Sequence, residues 1–271
     1  SMAKTFGANV TKLDFEWGKA ADPDVIKKAL NADPAITTVI VTHNETSTAV
    51  TNPLAEISAV VKQFDKLLIV DGVSSLGSLN FPVDEWHVDV AVSGSQKGWM
   101  APPGLAMVSV SEKAWQAHAK AKMPRYYWDF TRAKQYLELG QTPWTPAVTT
   151  AYAMAVSLDA MVKDGLPNII ARHARVGKAA REGAKALGLD LLADEKYASN
   201  TVTGIWGNHG IDIKKLRKML REEYHVVLAG GQGKLDGQIF RIGHLGWVDV
   251  KDMEIVLAAL KDALPKAGFV R

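Results

Sequence analysis

Lys97 and Asp71 are the residues of this chain whose types and settings could do chemistry together. Asp71 follows Lys66-Leu67-Leu68-Ile69-Val70 and opens Asp71-Gly72-Val73-Ser74-Ser75, and Lys97 stands in Ser93-Gly94-Ser95-Gln96-Lys97-Gly98, just after Val88-Asp89-Val90-Ala91-Val92. Each closes a short apolar run. If both runs are parallel strands of one sheet, the carboxylate and the amine emerge together at its carboxyl edge, where open α/β sheets bind ligands. An amine placed there can condense with a carbonyl, and a carboxylate can keep a ring nitrogen protonated. Taken singly, such a lysine reads as a solvated loop residue and such an aspartate as a turn former or helix cap. Together they are the minimum equipment for pyridoxal 5'-phosphate (PLP) chemistry.

The elements that must position the pair are visible in the same patterning. β-branched and apolar runs at 37–42, 66–70, 88–92 and 105–110 predict buried strands. Between the first two, Asn52 is expected to cap a helix, with Pro53 in its first turn and Leu54, Ile57 and Val61 as its apolar stripe. Strand, helix, strand implies parallel pairing. From 147 to about 162 and from 166 to about 187 the pattern becomes helical, broken by Asp164-Gly165 and Pro167. A domain boundary is placed there, with residues 1–165 forming a large domain and 166–271 a smaller α/β domain. The latter carries predicted strands at 201–206, 225–228 and 239–242 and helices near 213–224 and 250–264.

Composition narrows the classes. The chain has 271 residues, 47% of them apolar, so it can bury a large core. No apolar run approaches the ~18 residues of a membrane span, and a cytoplasmic enzyme of small molecules is expected. There is no cysteine, hence no disulfide framework and no catalytic thiol. The net charge of +3 is dispersed, and the basic run Lys214-Lys215-Leu216-Arg217-Lys218 places its charges on the wet face of a helix without interleaved aromatics. No nucleic-acid function is predicted. The seven histidines show no ligand pair with a supporting carboxylate, so no metal site is predicted, and His43 and His244 are read as structural.

Five segments carry a family resemblance. Thr42-His43-Asn44-Glu45-Thr46-Ser47-Thr48-Ala49, Asp71-Gly72-Val73-Ser74-Ser75-Leu76-Gly77, Ser93-Gly94-Ser95-Gln96-Lys97 with Ala101-Pro102-Pro103-Gly104, Thr142-Pro143-Trp144-Thr145-Pro146, and Phe240-Arg241-Ile242-Gly243-His244 together resemble the class V aminotransferases of PLP fold type I. The branch resembled is that of the alanine/serine–glyoxylate or –pyruvate aminotransferases, whereas the cysteine desulfurase branch would need the missing thiol.

The resemblance implies an α/β fold, with a mostly parallel sheet in the large domain and a smaller C-terminal α/β domain. It also assigns roles. Lys97 forms the Schiff base with PLP and carries the proton, Asp71 pairs with the pyridine nitrogen, and Val73 lies under the ring. Thr46 contacts the cofactor's 3-oxygen, Gln96 and Ser95 the phosphate, and Thr145 the phosphate of a neighbouring subunit, which implies a homodimer. Arg241 binds the substrate α-carboxylate, a planar two-pronged match for a guanidinium. Ala229-Gly230-Gly231-Gln232-Gly233 looks like a mobile loop near the substrate entrance. Family members carry a further amino-terminal segment that cradles the phosphate. Ser1-Met2 reads as a processing scar, and the chain is expected to be N-terminally truncated.

The expected reaction moves an amino group from a small L-amino acid, alanine or serine, to a keto acid such as glyoxylate or pyruvate. A truncated, inactive PLP-binding remnant and another PLP-dependent reaction such as a lyase are compatible with the same residues.

Overall fold

Three of the four β-branched runs of the first half become parallel neighbours. In the computed structural model, which describes residues 2–270, α1 (Met2–Thr5) and α2 (Pro23–Ala32) lead into β1 (Thr38–Thr42). A small antiparallel pair, β2 (Asn44–Glu45) and β3 (Val50–Thr51), precedes α3 (Leu54–Gln63). Then come β4 (Leu67–Asp71), β5 (Val90–Gly94) and β6 (Ala106–Val110). The sheet order is β1-β4-β5-β6, parallel except for β6. In register, Thr42 faces Asp71 and Asp71 faces Val92, so the carboxyl ends lie nearly level.

β5 starts two residues later than its apolar run because Asp89 is diverted. Its carboxylate accepts from the Leu68 backbone N–H at 2.9 Å and from the Ser111 hydroxyl at 2.7 Å, tying the strand start to its neighbours.

The expected buried strands form, and alternate residues of β4 and β5 are buried. Leu68, Val70 and Ala91 pack with Ile26, Leu30, Leu54, Ile57 and Val61 of α2 and α3 in one core. On the opposite face Ile40 is 65% and Val108 39% exposed. The cause is alternation: successive side chains point to opposite faces, and the helices cover one.

α3 shows Leu54, Ile57 and Val61 buried as its stripe predicts, but Asn52 does not cap it. The cap position is Pro53, without a side-chain bond. Asn52 instead donates to the Thr42 carbonyl at 2.7 Å and accepts from the Ala21 backbone at 2.8 Å. A longer-range use of the amide has displaced the local one.

Beyond β6 run α4 (Glu112–Lys120), α5 (Phe130–Glu138), α6 (Val148–Asp164) and α7 (Leu166–Ala186), the last two sharing Gly165 at φ +82° as cap residue. β7 (Val202–Trp206), α8 (Ile213–Glu223), β8 (Ala229–Gly230), β9 (Ile239–Gly243) and α9 (Val250–Lys266) complete the chain. β7, β9 and β8 form an antiparallel sheet in that order. A second core, including Val176, Ala180, Ile205, Leu216, Leu220, Phe240 and Leu260, joins it to α7, α8 and α9.

The run 225–228 is not a strand. Val226 donates back to the Leu220 carbonyl and is buried with Leu228, so the segment wraps the end of α8 before pairing begins at Ala229. Among the described residues, no helix is long and apolar enough to cross a membrane.

Candidate active site

The site begins where β4 and β5 end. Asp71 is the last residue of β4, and its Oδ1 accepts the Val73 backbone N–H at 2.9 Å, a local turn that fixes the carboxylate. Its Oδ2 makes no hydrogen bond among the described residues. Val73 is half-buried beside it.

Lys97 lies in the turn that leaves β5. The turn is closed by Met100 N–H to the Lys97 carbonyl and Ala101 N–H to the Ser95 carbonyl, each 3.0 Å. Trp99 braces it by donating from its indole nitrogen to the Ser93 hydroxyl at 2.7 Å. The Lys97 amine has no hydrogen bond or ion pair among the described residues, although its side chain is half-buried. Met100 is left-handed at φ +60°, a conformation uncommon outside glycine that the surrounding bonds hold in place.

Glycines bring the two loops together. A Cβ on Gly98 would lie 2.5 Å from the Ser78 hydroxyl and 2.6 Å from the Leu76 carbonyl oxygen, and Gly77, at φ +80°, sits against Gly98 itself. The lysine turn is thereby pressed onto the loop that follows Asp71.

Ser95 and Gln96 diverge. The Ser95 hydroxyl donates to the Pro102 carbonyl at 2.6 Å, accepts from Leu105 N–H at 3.2 Å and is fully buried. It shapes the lysine turn rather than offering a free donor to a phosphate. Gln96 is exposed and folds over Gly94, where a Cβ would meet its Oε1 at 2.9 Å.

Arg241 reaches the same edge from β9. It is 6% exposed, and its Nε donates to the Gly230 carbonyl and its Nη1 to the Thr46 carbonyl, both at 2.8 Å. Nη2 makes no hydrogen bond among the described residues. Thr46 is half-buried with its hydroxyl unengaged among the described residues, while Glu45 beside it is held by the backbone N–H and hydroxyl of Ser47. Thr145 is not brought to these residues: it is exposed and bonds to none of them.

The segment 229–233, expected to be a mobile loop, is built into the fold. Ala229 and Gly230 pair with β9, a 3₁₀ turn follows at Gly233–Leu235, and a Cβ on Gly231 would collide with the Leu235 carbonyl.

The family sequence model for aminotransferase class-V matches residues 1–244. The chain belongs to the class V aminotransferase family. An uncharacterized aminotransferase of Methanocaldococcus jannaschii is 44% identical over 271 residues, covering 99% of this chain and 70% of that protein. The soluble hydrogenase 42 kDa subunit of Anabaena cylindrica is 43% identical, over 98% and 70%. The serine–glyoxylate aminotransferase of Arabidopsis thaliana is 36% identical, over 98% and 68%. Among solved structures, pyridoxamine–pyruvate aminotransferase from Mesorhizobium loti superposes with a TM-score of 0.91 at 34% identity, over 95% of this chain and 67% of that one.

Class V aminotransferases are generally PLP-dependent, and the residues of this one fit the cofactor's reactive half. A free amine and a half-free carboxylate sit at the ends of adjacent parallel strands, suited to a carbonyl and a ring nitrogen. Among the described residues no group of three or more His, Cys, Asp or Glu side chains could hold a metal ion. His43 and His244 serve packing. His43 contacts Phe81 and Trp86 edge-on, and His244 bonds Thr203 and the Asn200 carbonyl. Burial lowers both pKa values to about 4.

Sequence reading passed over one buried polar residue beside this aminotransferase's candidate site. Asn44 is 2% exposed and bonds Thr51, Ser74 and Thr201. Its setting among Thr, Ser and Glu residues carries no local signal, because its partners are distant in the chain.

Proposed function

We propose that this class V aminotransferase uses PLP to move an amino group from a small L-amino acid, alanine or serine, to a keto acid such as glyoxylate or pyruvate. The observation that carries the reading is the meeting of the Asp71 loop and the Lys97 turn at one sheet edge, with the Lys97 amine and Asp71 Oδ2 both unengaged among the described residues. Relatives named for serine, glyoxylate and pyruvate support the substrate class.

When bound, PLP supplies an electron sink for the pair left on the substrate α-carbon. With the cofactor bound, Lys97 would hold its carbonyl carbon, and the amine would move the proton at the substrate α-carbon, acting as base and then acid. Asp71 faces the pyridine nitrogen and favours its protonated form, since an adjacent carboxylate stabilises a cation. Val73 would pack under the ring, and the Thr46 hydroxyl would contact the 3-oxygen.

Gln96, exposed over Gly94, would contact the phosphate, with Ser95 acting through the shape of the turn. Thr145, exposed and unpartnered by the site of its own chain, serves the phosphate of a second copy in a homodimer. Arg241 receives the substrate α-carboxylate on the guanidinium edge left free by Gly230 and Thr46. The division at residue 165 separates the unit bearing Asp71 and Lys97 from the unit bearing Arg241, and the enzyme is placed in the cytoplasm.

Product analysis tests the reaction. With PLP and excess L-alanine or L-serine, keto acid should form in stoichiometric step with aminated cofactor. Stoichiometric ammonia release or carbon–carbon cleavage would exclude transamination.

A further inference from the structure

The two units of the chain meet at a buried polar seam, and Asn44 stands at its centre. Its Nδ2 donates to the Ser74 hydroxyl at 2.9 Å and to the Thr201 hydroxyl at 3.0 Å, while its Oδ1 accepts from the Thr51 hydroxyl at 2.7 Å. The protons of the two acceptor hydroxyls are committed elsewhere. Ser74 donates to the Asn44 carbonyl at 2.6 Å, and Thr201 donates to the Ser74 carbonyl at 3.2 Å. With those protons directed elsewhere, Ser74 and Thr201 accept from Asn44, whose amide has both donors and one of its two oxygen lone pairs engaged.

Each end of this clasp leads to a residue of the candidate site. Ser74 follows Val73 in the loop whose turn holds Asp71. Thr201 immediately precedes β7; its carbonyl accepts from His244 N–H at 2.9 Å, and Val202 pairs with Gly243, two residues beyond Arg241. A second link, Arg241 Nη1 to the Thr46 carbonyl, crosses the seam from β9 back to the loop that Asn44 opens.

We infer that Asn44 is a positioning residue, which sets the register of the unit bearing Arg241 against the loop bearing Asp71 and so fixes the substrate carboxylate site relative to the cofactor site. The inference rests on the proposed function for the identity of those two sites. Asn44 itself touches neither substrate nor cofactor. Backbone contacts also join the units at the seam, including Ser199 N–H to the Ala49 carbonyl at 2.9 Å and the bridge between Val50 and Ala198. Loss of the Asn44 amide therefore leaves the units associated and alters their register.

The first readout needs no cofactor. Hydrogen exchange of the unliganded chain should accelerate in residues 71–79 and 199–204 for Asn44→Ala and for Thr201→Val, with 213–223 and 250–264 unchanged. Asn44→Asp, which keeps the shape but removes both donors, should behave as Asn44→Ala does. Unchanged exchange at the seam, or acceleration spread through both cores, would overturn the clasp.

The second readout separates register from folding. In the PLP-loaded enzyme, Asn44→Ala should raise KM for L-alanine about tenfold or more, the scale expected of a small misplacement of reacting groups, while PLP affinity changes little. The double variant Asn44→Ala/Thr201→Val should lose less than the two single variants summed, because the residues share one link while Thr201 keeps a second to the Ser74 carbonyl. An unchanged KM, or equal losses in KM and PLP affinity, would contradict the inference. Failure of the proposed function shows differently: wild-type protein would give no Lys97-dependent absorption band, while the seam exchange would still respond to Asn44.

Discussion

Gly98 lies against Gly77 so closely that the turn carrying Lys97 and the loop following Asp71 have no room for a side chain between them. The two groups proposed to act on one cofactor come from loops held by backbone approach, not by a bond between the groups themselves. Both remain free for a ligand.

Gly98→Ala tests this approach. The added methyl would meet Ser78 Oγ at 2.5 Å and the Leu76 carbonyl at 2.6 Å, so the loops must part. Overpacking of this kind costs about 1–3 kcal/mol. Calorimetry should show that loss, and PLP titration should show weaker binding. A variant with wild-type stability and affinity would mean that the approach does not position the lysine.

Arg241→Lys tests the carboxylate site. A single ammonium cannot span the Gly230 and Thr46 carbonyls and still offer a planar pair of donors. Losing a charge-assisted hydrogen bond costs about 1.5–3 kcal/mol, so KM for the amino donor should rise tenfold or more, with Tm shifting less than for Gly98→Ala. Steady-state kinetics on the donor would check it.

Stability should fall on acidification. Burial holds His43 and His244 at pKa values of about 4 against an ordinary 6.5, so the unfolded chain takes up protons between these values and the folded chain does not. The stabilisation is complete above pH 6.5 and is lost as pH falls toward 4, on the order of 3 kcal/mol per histidine. Tm should therefore drop between pH 7 and 4.5, and His43→Phe, set between Phe81 and Trp86, should flatten the drop.

Asn52→Ala should destabilise by about 1–3 kcal/mol, because Ala21 N–H and the Thr42 carbonyl would both lose their partner. A merely local cap would cost less and leave β1 unaffected. Denaturant titration together with exchange at residues 38–42 distinguishes the two.

Much of this was legible in the residues. β-branched runs located β1, β4, β5 and β6, because packing against helices demands them, and Asp71 and Lys97 stood out because each ends such a run. The polar long-range contacts were not legible. Asn44 and Asn52 sit in Thr- and Asn-rich segments that look alike whether they turn, cap or clasp, and their partners are set by topology. The run 225–228 misled for a related reason: an apolar stretch wrapping the end of α8 has the same composition as a strand. Nor can an apolar run show which sheet face is covered, and Ile40 is the consequence.

The most direct test of the central claim is the visible spectrum of the protein after PLP addition and then after excess L-alanine, with Lys97→Ala alongside. A band that requires Lys97 and bleaches as pyruvate appears is the predicted result. A band identical in Lys97→Ala, or no band in the wild-type protein, would contradict the assignment of Lys97 as the cofactor's lysine.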